Sequence, residues 1–310
     1  MSASRRCVVF VLCPGHSGST LLGHFLGAHP LALHLGEVVA PLRRRRPFVC
    51  RVCEDRSCPV WGSLLSEPFV RSTLQHWRRE RHLPGLSGAL ARLRSSDSRC
   101  GVHRRVLEGL PEVRVLVDSS KILSWASWNR RGARDLRVVF VHLRRDLRGV
   151  LASQLRRSQP ETPEQIARAL VRQSRRIEIA LGRLDPGDAY SLRYEDLVES
   201  PAETGAALCD FLGLDFDAGM LEYFKVPQHV IGGNAGPTYQ VRAWLGRSSK
   251  ELEFLDQTSE DNQRFYRESQ PGFIVDRRWM QQLDSDVLQE FERIAGAANR
   301  RLGYPRASSK

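Results

Sequence analysis

The sequence has no apolar run long enough to cross a membrane. No stretch of its 310 residues approaches the roughly 18 consecutive apolar residues of a transmembrane helix, so we expect no membrane span. The short apolar run at 7–13 follows two arginines, as in a signal peptide. It continues directly into Pro14 without a small-residue cleavage site, so we interpret it as a first β-strand.

Cysteine and lysine are also scarce. The seven cysteines, an odd number in a chain of this length, do not indicate a disulfide framework. A reducing environment, and hence a cytoplasmic location, is therefore the default expectation. Lysine occurs only at positions 121, 225, 250 and 310.

Acidic residues are outnumbered by basic ones, 35 against 47, which gives a formal net charge of +12. This excess indicates anionic partners, and arginine, which supplies most of it, suits bidentate recognition of phosphate or sulfate. Three arginine clusters, at 43–46, 78–81 and 156–157, lack the interleaved aromatic residues that stack on nucleic-acid bases. We therefore expect an anionic ligand other than nucleic acid.

A loop of small residues between a strand and a helix is the most informative stretch. The apolar run Cys7–Leu12 is followed by Cys13-Pro-Gly-His-Ser-Gly-Ser-Thr-Leu-Leu22, which leads into an apolar-periodic segment, Leu21–Leu26. The free N–H groups of such a turn, together with the positive end of the helix dipole, bind phosphate or sulfate. An ordinary strand-to-helix turn with a serine cap is the alternative interpretation.

The loop differs from the P-loop of nucleoside triphosphatases, G-x-x-x-x-G-K-[ST]. When the two are aligned on Gly18, Cys13 replaces the first glycine and Ser19 replaces the lysine. Because that lysine holds the β- and γ-phosphates, its absence disfavours a nucleoside triphosphatase or kinase. The sequence therefore retains a phosphate loop without the triphosphate clamp.

The same stretch resembles the 5′-phosphosulfate loop of the sulfotransferases that use 3′-phosphoadenosine 5′-phosphosulfate (PAPS). Their pattern is [K/R]-S-G-[ST]-[ST]-L-L followed by H-P, here His29-Pro30, and His16 stands where the family usually has Lys or Arg. Because histidine protonates near pH 6.5, the substitution predicts a pH-dependent activity. The implied 5′-phosphosulfate site consists of His16, Ser17, Gly18, Ser19 and Thr20.

A second phosphate site follows a predicted strand, Arg137–His142. Arg145 stands at the strand end and Ser153 eight residues later, so a bidentate guanidinium and a hydroxyl can converge on one phosphate. This spacing resembles the 3′-phosphate motif of PAPS enzymes. The resemblance also implies that Tyr194 lies beside the adenosine, although core packing explains it almost as well. Gly233 and Asn234 lie where these enzymes fold a late loop over the nucleotide.

Glu37 is the candidate general base. It ends a Leu-Gly-Glu segment after the first predicted helix, where the sulfotransferases bring a carboxylate towards the acceptor hydroxyl. Removal of the acceptor proton during attack on sulfur contributes about 10²–10⁴-fold. A solvated surface glutamate is the alternative, and His34 and His142 are less favoured bases.

Lys121 is the candidate cation for the leaving group. It ends Asp118-Ser-Ser-Lys121 after a predicted strand, Val113–Val117, and ligands of open α/β sheets bind at the carboxyl ends of strands. The tetrad resembles a motif of a bacterial sulfotransferase subgroup. The resemblance implies that Lys121 and His16 share the charge that develops as the S–O bond breaks. A helix cap with an exposed lysine is the alternative.

A cysteine cluster is the remaining unusual feature. Cys50, Cys53 and Cys58 fall within nine residues, a spacing that indicates a tetrahedral structural zinc site. Cys100 or His103 is a candidate fourth ligand. A disulfide and reduced cysteines packed around a tryptophan are the alternatives, and we expect no catalytic metal because sulfuryl transfer does not require one.

Taken as a whole, the chain predicts an α/β protein with a three-layer P-loop-like fold, a central parallel sheet flanked by helices. We expect a single domain over 1–305, with 60–110 as a helical insertion or lid, and a disordered tail at 306–310. A capping box predicts a helix that begins after Thr162, and Gly213 predicts the end of another.

The function implied by the resemblance is in-line transfer of a sulfuryl group from PAPS to a hydroxyl or amine of an acceptor. Two alternatives remain. One is a P-loop kinase-like phosphotransferase, and the other is a nucleotide-binding homologue that has lost catalytic activity. The segments that would read the acceptor carry no recognisable motif.

Overall fold

A five-stranded parallel sheet forms the centre of the protein. The structure is a computed structural model that describes residues 5–42, 48–53, 57–81, 99–157, 161–246 and 258–306. The strand order is β2-β3-β1-β4-β5. The strands are β1 (Cys7–Leu12), β2 (Ala32–Gly36), β3 (Val115–Asp118), β4 (Arg137–Arg144) and β5 (Ala189–Arg193).

The central strand β1 is apolar along its whole length and buried on both faces. It pairs in parallel with β3 on one side and with β4 on the other, so that Cys7 lies opposite both Val115 and Arg137. A strand without a polar face must be covered by helices on both sides. The predicted fold class, a central parallel sheet flanked by helices, is confirmed.

Each strand is followed by one or more helices. In the described part of the chain they are α1 (Ser19–Gly27), α2 (Glu67–Glu80), α3 (Gly101–Gly109), α4 (Leu123–Gly132), α5 (Leu147–Leu155), α6 (Pro163–Leu181), α7 (Tyr194–Glu199), α8 (Pro201–Leu212), α9 (Ala235–Trp244), α10 (Glu260–Glu268), α11 (Trp279–Gln282) and α12 (Ser285–Arg301). None of the helices in this part of the chain combines the length and apolarity that crossing a bilayer demands.

Two predicted helix ends are confirmed. Thr162 accepts a hydrogen bond from the N–H of Gln165, whose side chain accepts one from the Thr162 N–H, so the capping box before α6 is complete. Gly213 ends α8 in the left-handed conformation, with φ of 75°. Glycine adopts this conformation without the steric cost that a Cβ brings.

The predicted strand list was incomplete. The strand predicted at Val113–Val117 begins two residues later, and an unpredicted strand, β2, precedes it and pairs with it. β2 is a five-residue edge strand whose register shifts between His34 and Gly36. A strand this short, with a histidine and a glycine inside it, shows little of the β-branched alternation that marks a strand in sequence.

The predicted insertion at 60–110 is helical where the structure describes it. It contains a π-helical turn at Pro59–Leu64 and helices α2 and α3. Their apolar faces, with Trp61 and Trp77, are buried in the core. Three predicted features lie wholly or partly outside the described residues: part of the insertion (82–98), the arginine cluster at 43–46 and the last four residues of the predicted tail.

The sheet order places a crevice at the end of β1. The chain passes from β1 to β2 at one edge of the sheet and later crosses from β3 to β4 on the other side of β1. Open α/β sheets bind ligands at such a reversal, outside the carboxyl ends of the strands. The fold therefore directs attention to the loop that follows Leu12.

Candidate active site

A cavity of about 1080 Å³ lies at the carboxyl edge of the sheet. Its volume slightly exceeds the roughly 300–1,000 Å³ that ligand pockets usually occupy. The carboxyl end of every strand contributes to its lining. The contributing residues are Cys13, Gly15, His16 and Gly18 after β1, Glu37 after β2, Lys121 after β3, Arg145 after β4 and Tyr194 after β5.

The loop after β1 adopts a conformation that favours glycine. His16 and Gly18 both lie in the left-handed region, with φ of 72° and 98°. A Cβ on Gly18 would lie 2.5 Å from the ring of Tyr194, a distance that the aromatic ring cannot accommodate without moving. Glycine at position 18 therefore allows the loop and Tyr194 to pack together.

The N-terminus of α1 faces the cavity. Ser19 and Thr20, in its first turn, line the cavity. Gly18 occupies the N-cap position and makes no side-chain capping bond, and the first turn contains no acidic residue. The first N–H groups of a helix have no intrahelical acceptor and carry a partial positive charge. An uncapped helix N-terminus at this position is the feature on which the sequence analysis based its anion-binding prediction.

Not every residue of the predicted loop site faces the cavity. Ser17 is fully buried, and its hydroxyl does not line the cavity. Thr20 lines the cavity, but its Oγ1 also accepts a hydrogen bond of 2.9 Å from the N–H of Asn234. Thr20 thus joins α1 to the late loop, in which Gly233 and Asn234 border the cavity as expected.

His16 is uncharged at neutral pH. Its partial burial, and after it the nearby guanidinium of Arg157, lower the pKa of His16 to about 4. The Nδ1 atom lies 3.2 Å from Oγ of Ser153, and the backbone oxygen accepts a hydrogen bond of 2.9 Å from Arg145. Burial and the surrounding arginines thus oppose protonation of this histidine, and its pKa lies below the value near 6.5 that the sequence analysis assumed.

The predicted 3′-phosphate residues converge on the loop. Arg145 and Ser153 both line the cavity and both contact His16. The Arg145 guanidinium carbon lies 4.2 Å above the centre of the Tyr194 ring. Because Arg145 extends from the end of β4 and Ser153 from α5, the strand-to-helix turn brings a guanidinium and a hydroxyl to one side of the loop.

An acidic residue that the sequence analysis missed holds Arg145. The Asp276 carboxylate lies 3.4 Å from Arg145, 3.5 Å from Arg156 and 2.9 Å from Arg278. Burial alone would raise the pKa of Asp276, but the hydrogen bond from Arg278 and the charges of the arginines lower it to about 2. Asp276 is therefore ionised across the physiological range and neutralises part of the cluster.

The cavity is strongly cationic. Among the described residues that line it, the positive charges of six arginines and Lys121 face two carboxylates, Glu37 and Asp276. Two of these arginines belong to the cluster at 156–157, whose sequence alone did not indicate a ligand. The six arginines are Arg51, Arg145, Arg156, Arg157, Arg176 and Arg278.

Glu37 and Lys121 form an ion pair at the β2–β3 side of the cavity. The Lys121 ammonium donates a hydrogen bond of 2.7 Å to Glu37 and one of 3.0 Å to the carbonyl oxygen of Ser119. Lys121 has φ of 62°, a conformation that costs a non-glycine residue free energy and is more common at functional sites. The structure thus brings together the two residues predicted for proton transfer and charge stabilisation.

The less favoured bases do not reach this site. His34 is fully buried and bonds to Ser119 at 3.0 Å, and neither His34 nor His142 lines the cavity. Asp118, which begins the Asp-Ser-Ser-Lys motif, is buried as well and accepts hydrogen bonds from His103 and Trp125. The described parts of the 60–110 insertion contribute no lining residue.

The cysteine cluster lies beside the late loop. The Sγ atoms of Cys50, Cys53 and Cys58 and a nitrogen of His229 all lie within 4.8 Å of one another. Cys100 and His103 are not part of this group, because His103 is held by Asp118 elsewhere in the core. His229 therefore takes the place of the fourth ligand that the sequence analysis sought at Cys100 or His103.

Comparison with known families gives one sequence match. Residues 137–218 match the family model described as the Sulfotransferase family. The matched stretch contains Arg145, Ser153 and Tyr194, whereas Glu37 and Lys121 lie outside it. The match supports sulfuryl transfer as the general type of chemistry. No curated protein matches the chain.

Several solved structures are similar over most of the chain. The sulfotransferase domain from the curacin biosynthetic pathway is 20% identical, covers 96% of this chain and 98% of its own, and has a TM-score of 0.45. Sulfotransferase STF1 from Mycobacterium tuberculosis H37Rv is 19% identical, with coverages of 73% and 72% and a TM-score of 0.44. Retinol dehydratase, solved with androsterone and the inactive cofactor PAP, is 15% identical, with coverages of 94% and 80% and a TM-score of 0.44.

Proposed function

We propose that this protein transfers a sulfuryl group from PAPS to a hydroxyl or amine of an acceptor. One observation carries the proposal. A single cationic cavity contains an anion-binding loop and helix end at its centre, Arg145 and Ser153 on the β4 side, and the Glu37–Lys121 pair on the β2–β3 side. A donor with two phosphate-like groups needs the first two parts, one for each group. An acceptor that must lose a proton needs the third part, on the opposite side of the loop.

The donor would extend from the loop towards β4 and β5. The N–H groups at the start of α1, with Ser19 and Thr20, would hold the 5′-phosphosulfate. Arg145 and Ser153 would bind the 3′-phosphate through a guanidinium and a hydroxyl. Tyr194, which already stacks on Arg145, would pack against the adenosine.

The acceptor would approach from the side of β2 and β3. Its oxygen or nitrogen attacks the sulfur in line, a new bond to sulfur forms, and the bond between sulfur and the bridging phosphate oxygen breaks. Glu37 takes the proton that the acceptor loses. The electron pair of the broken bond remains on the phosphate of adenosine 3′,5′-bisphosphate, where the loop N–H groups and Lys121 stabilise it.

His16 takes a narrower part than the family pattern implies. Since its pKa is lowered to about 4, the neutral ring acts as a hydrogen-bonding group rather than as a cation. Lys121, 2.7 Å from Glu37, then supplies the positive charge near the bridging oxygen. The ammonium also holds the carboxylate in place before the donor binds.

The decisive experiment compares two ligands on one variant. Arg145→Ala should weaken binding of adenosine 3′,5′-bisphosphate by about tenfold to a hundredfold, because a charged hydrogen bond to a phosphate is lost. Binding of adenosine 5′-phosphate, which lacks the 3′-phosphate, should change far less. Isothermal titration calorimetry measures both affinities, and the difference between the ligands separates lost recognition from a damaged fold.

Arg144→Ala is the matched control. Arg144 precedes Arg145 and donates to the carbonyl oxygen of Leu302, away from the cavity. Its replacement should leave the preference for the 3′-phosphate intact. If Arg145→Ala kept that preference, or if the protein hydrolysed ATP and failed to bind PAPS, the proposal would be wrong.

A further inference from the structure

Four side chains from two distant segments converge outside the cavity. The donor atoms of Cys50, Cys53, Cys58 and His229 lie within 4.8 Å of one another. The Nδ1 atom of His229 is 3.3 Å from the sulfur of Cys53 and 3.4 Å from that of Cys58. A tetrahedral zinc ion with Zn–S bonds of about 2.3 Å and Zn–N bonds of about 2.0–2.1 Å separates sulfur from nitrogen by roughly 3.5 Å. The observed separations fit this geometry.

We propose that these four residues form a structural zinc site with three cysteine ligands and one histidine ligand. Four protein ligands complete the tetrahedral shell of zinc and leave no open position for a substrate, which is the pattern of structural sites. Thiolate ligands favour zinc over magnesium, calcium or manganese. The site therefore supports the fold and takes no part in sulfuryl transfer.

The surroundings of the four ligands suit thiolates. The backbone N–H of Cys53 points to the sulfur of Cys50, and that of Trp61 points to the sulfur of Cys58, each at 3.4 Å. Such donors stabilise the negative charge of a thiolate and orient it. The indole N–H of Trp61 also donates to the carbonyl oxygen of His229 at 2.8 Å, which fixes the backbone that carries the histidine.

A disulfide explains this arrangement less well. A disulfide brings two sulfurs to about 2.05 Å and leaves the third cysteine without a role, whereas these three cysteines are free in the structure. It also gives no reason for the imidazole nitrogen to face two sulfurs. A metal ion accounts for all four donor atoms at once.

The position of His229 connects the metal to the active-site wall. Two residues further on, the carbonyl oxygen of Ile231 accepts a hydrogen bond of 2.6 Å from the N–H of Glu37, and the N–H of Ile231 donates to Leu35 at 3.1 Å. The N–H of Arg51 donates to Val230 at 2.8 Å. Zinc bound at His229 would therefore hold the segment that supports the backbone of the general base.

Metal analysis of the purified full-length protein tests the site directly. We expect one zinc ion per chain by inductively coupled plasma mass spectrometry, and tetrahedral-type visible absorption after replacement of zinc by cobalt. Cys58→Ser should lose the metal. Cys209→Ser, a buried cysteine of α8 whose sulfur lies near Met220, should retain it.

Several results would overturn the assignment. These are a protein free of metal that also fails to bind zinc added as the chloride, a Cys58→Ser variant with a full complement of zinc, and iron in place of zinc. Should Cys58→Ser fail to fold, the wild-type protein still decides the question. Treatment with a chelator should then raise hydrogen exchange at 35–37 and 229–234 while the amides of β4 stay protected, and added zinc alone should reverse it. Unchanged exchange at these segments would refute the supporting role.

Discussion

At the scale of single residues, the Glu37–Lys121 pair sets the expected chemistry. The carboxylate is buried apart from its edge on the cavity, and the Lys121 ammonium lies 2.7 Å from it. An ionised carboxylate in this position can accept a proton from an acceptor hydroxyl without first losing one. Under the proposed function, the pair would separate two tasks, proton removal by Glu37 and charge stabilisation by Lys121.

Replacement of the carboxylate by an amide tests this division. Glu37→Gln should lower kcat by about 10²–10⁴-fold, because the amide cannot take the acceptor proton, while the affinity for adenosine 3′,5′-bisphosphate stays near that of the wild type. Turnover assays with radiolabelled PAPS and a metabolite screen for the acceptor measure the first quantity, and calorimetry measures the second.

A second glutamate–lysine pair in the chain provides the control. Glu222 pairs with Lys225 in a short 3₁₀ segment, Ala218–Lys225, and neither residue of the pair lines the cavity. Glu222→Gln should leave turnover unchanged. Equal turnover in Glu37→Gln and the wild type would remove Glu37 from the role of base.

Residues at strand ends were predictable, and residues brought in by distant segments were not. Lys121 and Arg145 were found because each follows an apolar run, which places it at the ligand-binding edge of a parallel sheet. Glu37 was found through the resemblance to the sulfotransferases, because the strand before it was not predicted. Asp276 meets Arg145 across 131 positions of sequence, and no local pattern announces such a contact. His229 was not recognised as a candidate zinc ligand for the same reason, because a single histidine far from the cysteines in sequence shows no metal-binding motif.

At the scale of elements, the turn between β1 and α1 depends on one glycine. Gly18→Ala should lower the free energy of unfolding by about 1–3 kcal/mol, because a Cβ at φ of 98° is strained and meets the Tyr194 ring at 2.5 Å. It should also weaken nucleotide binding, since the loop before α1 and the ring of Tyr194 would both shift. Urea denaturation and calorimetry measure the two effects.

Gly15 in the same loop is the matched comparison. A Cβ there would meet nothing within 4 Å, and Gly15 is not among the residues with positive φ. Gly15→Ala should change stability by less than about 0.5 kcal/mol. If the two alanine variants behaved alike, the packing of Gly18 on Tyr194 would not control the loop.

The same loop shows what local sequence patterns can and cannot predict. The strand, the helix and the anion-binding character of the turn follow from apolar periodicity and small residues. The direction of each side chain does not, because the left-handed turn at His16 reverses the chain and directs Ser17 into the core. Edge strand β2 was missed because its neighbours, rather than its own residues, hold it in the sheet.

At the scale of the whole molecule, buried histidines should make the protein sensitive to acid. Burial lowers the pKa of His16, His24 and His142 to about 4, and that of His34 well below its ordinary value. Between pH 6.5 and 4 the unfolded chain therefore binds more protons than the folded one. These four histidines should therefore make the free energy of unfolding fall as the pH decreases below 6.5, by up to about 1.4 kcal/mol per pH unit for each histidine. His103 acts in the opposite sense above pH 6.5, because burial alone would lower its pKa but its contacts with Asp118 and Cys100 together raise it to about 9.

Urea denaturation at pH 7.5, 6 and 5 measures this slope. His142→Asn should reduce the pH dependence of the free energy of unfolding by the contribution of one histidine. Nucleotide affinity should not change, because His142 does not line the cavity. A stability that stays constant down to pH 5 would contradict the prediction. The pH profile of kcat/KM, which reports ionisations of the free enzyme, should show no transition near pH 6.5 from His16.

The Asp276 carboxylate has a consequence for the catalytic cycle. Its charge lies among the guanidinium groups of Arg145, Arg156 and Arg278, where the proposed donor would place a phosphate. A 3′-phosphate would have to share these cations with Asp276, so the binding free energy of the phosphate would be smaller than without this carboxylate. When the bisphosphate product leaves, Asp276 would again be the anionic partner of these guanidinium groups. Under the proposed function, Asp276 would therefore shorten the residence time of the bisphosphate, so that product release would not limit turnover.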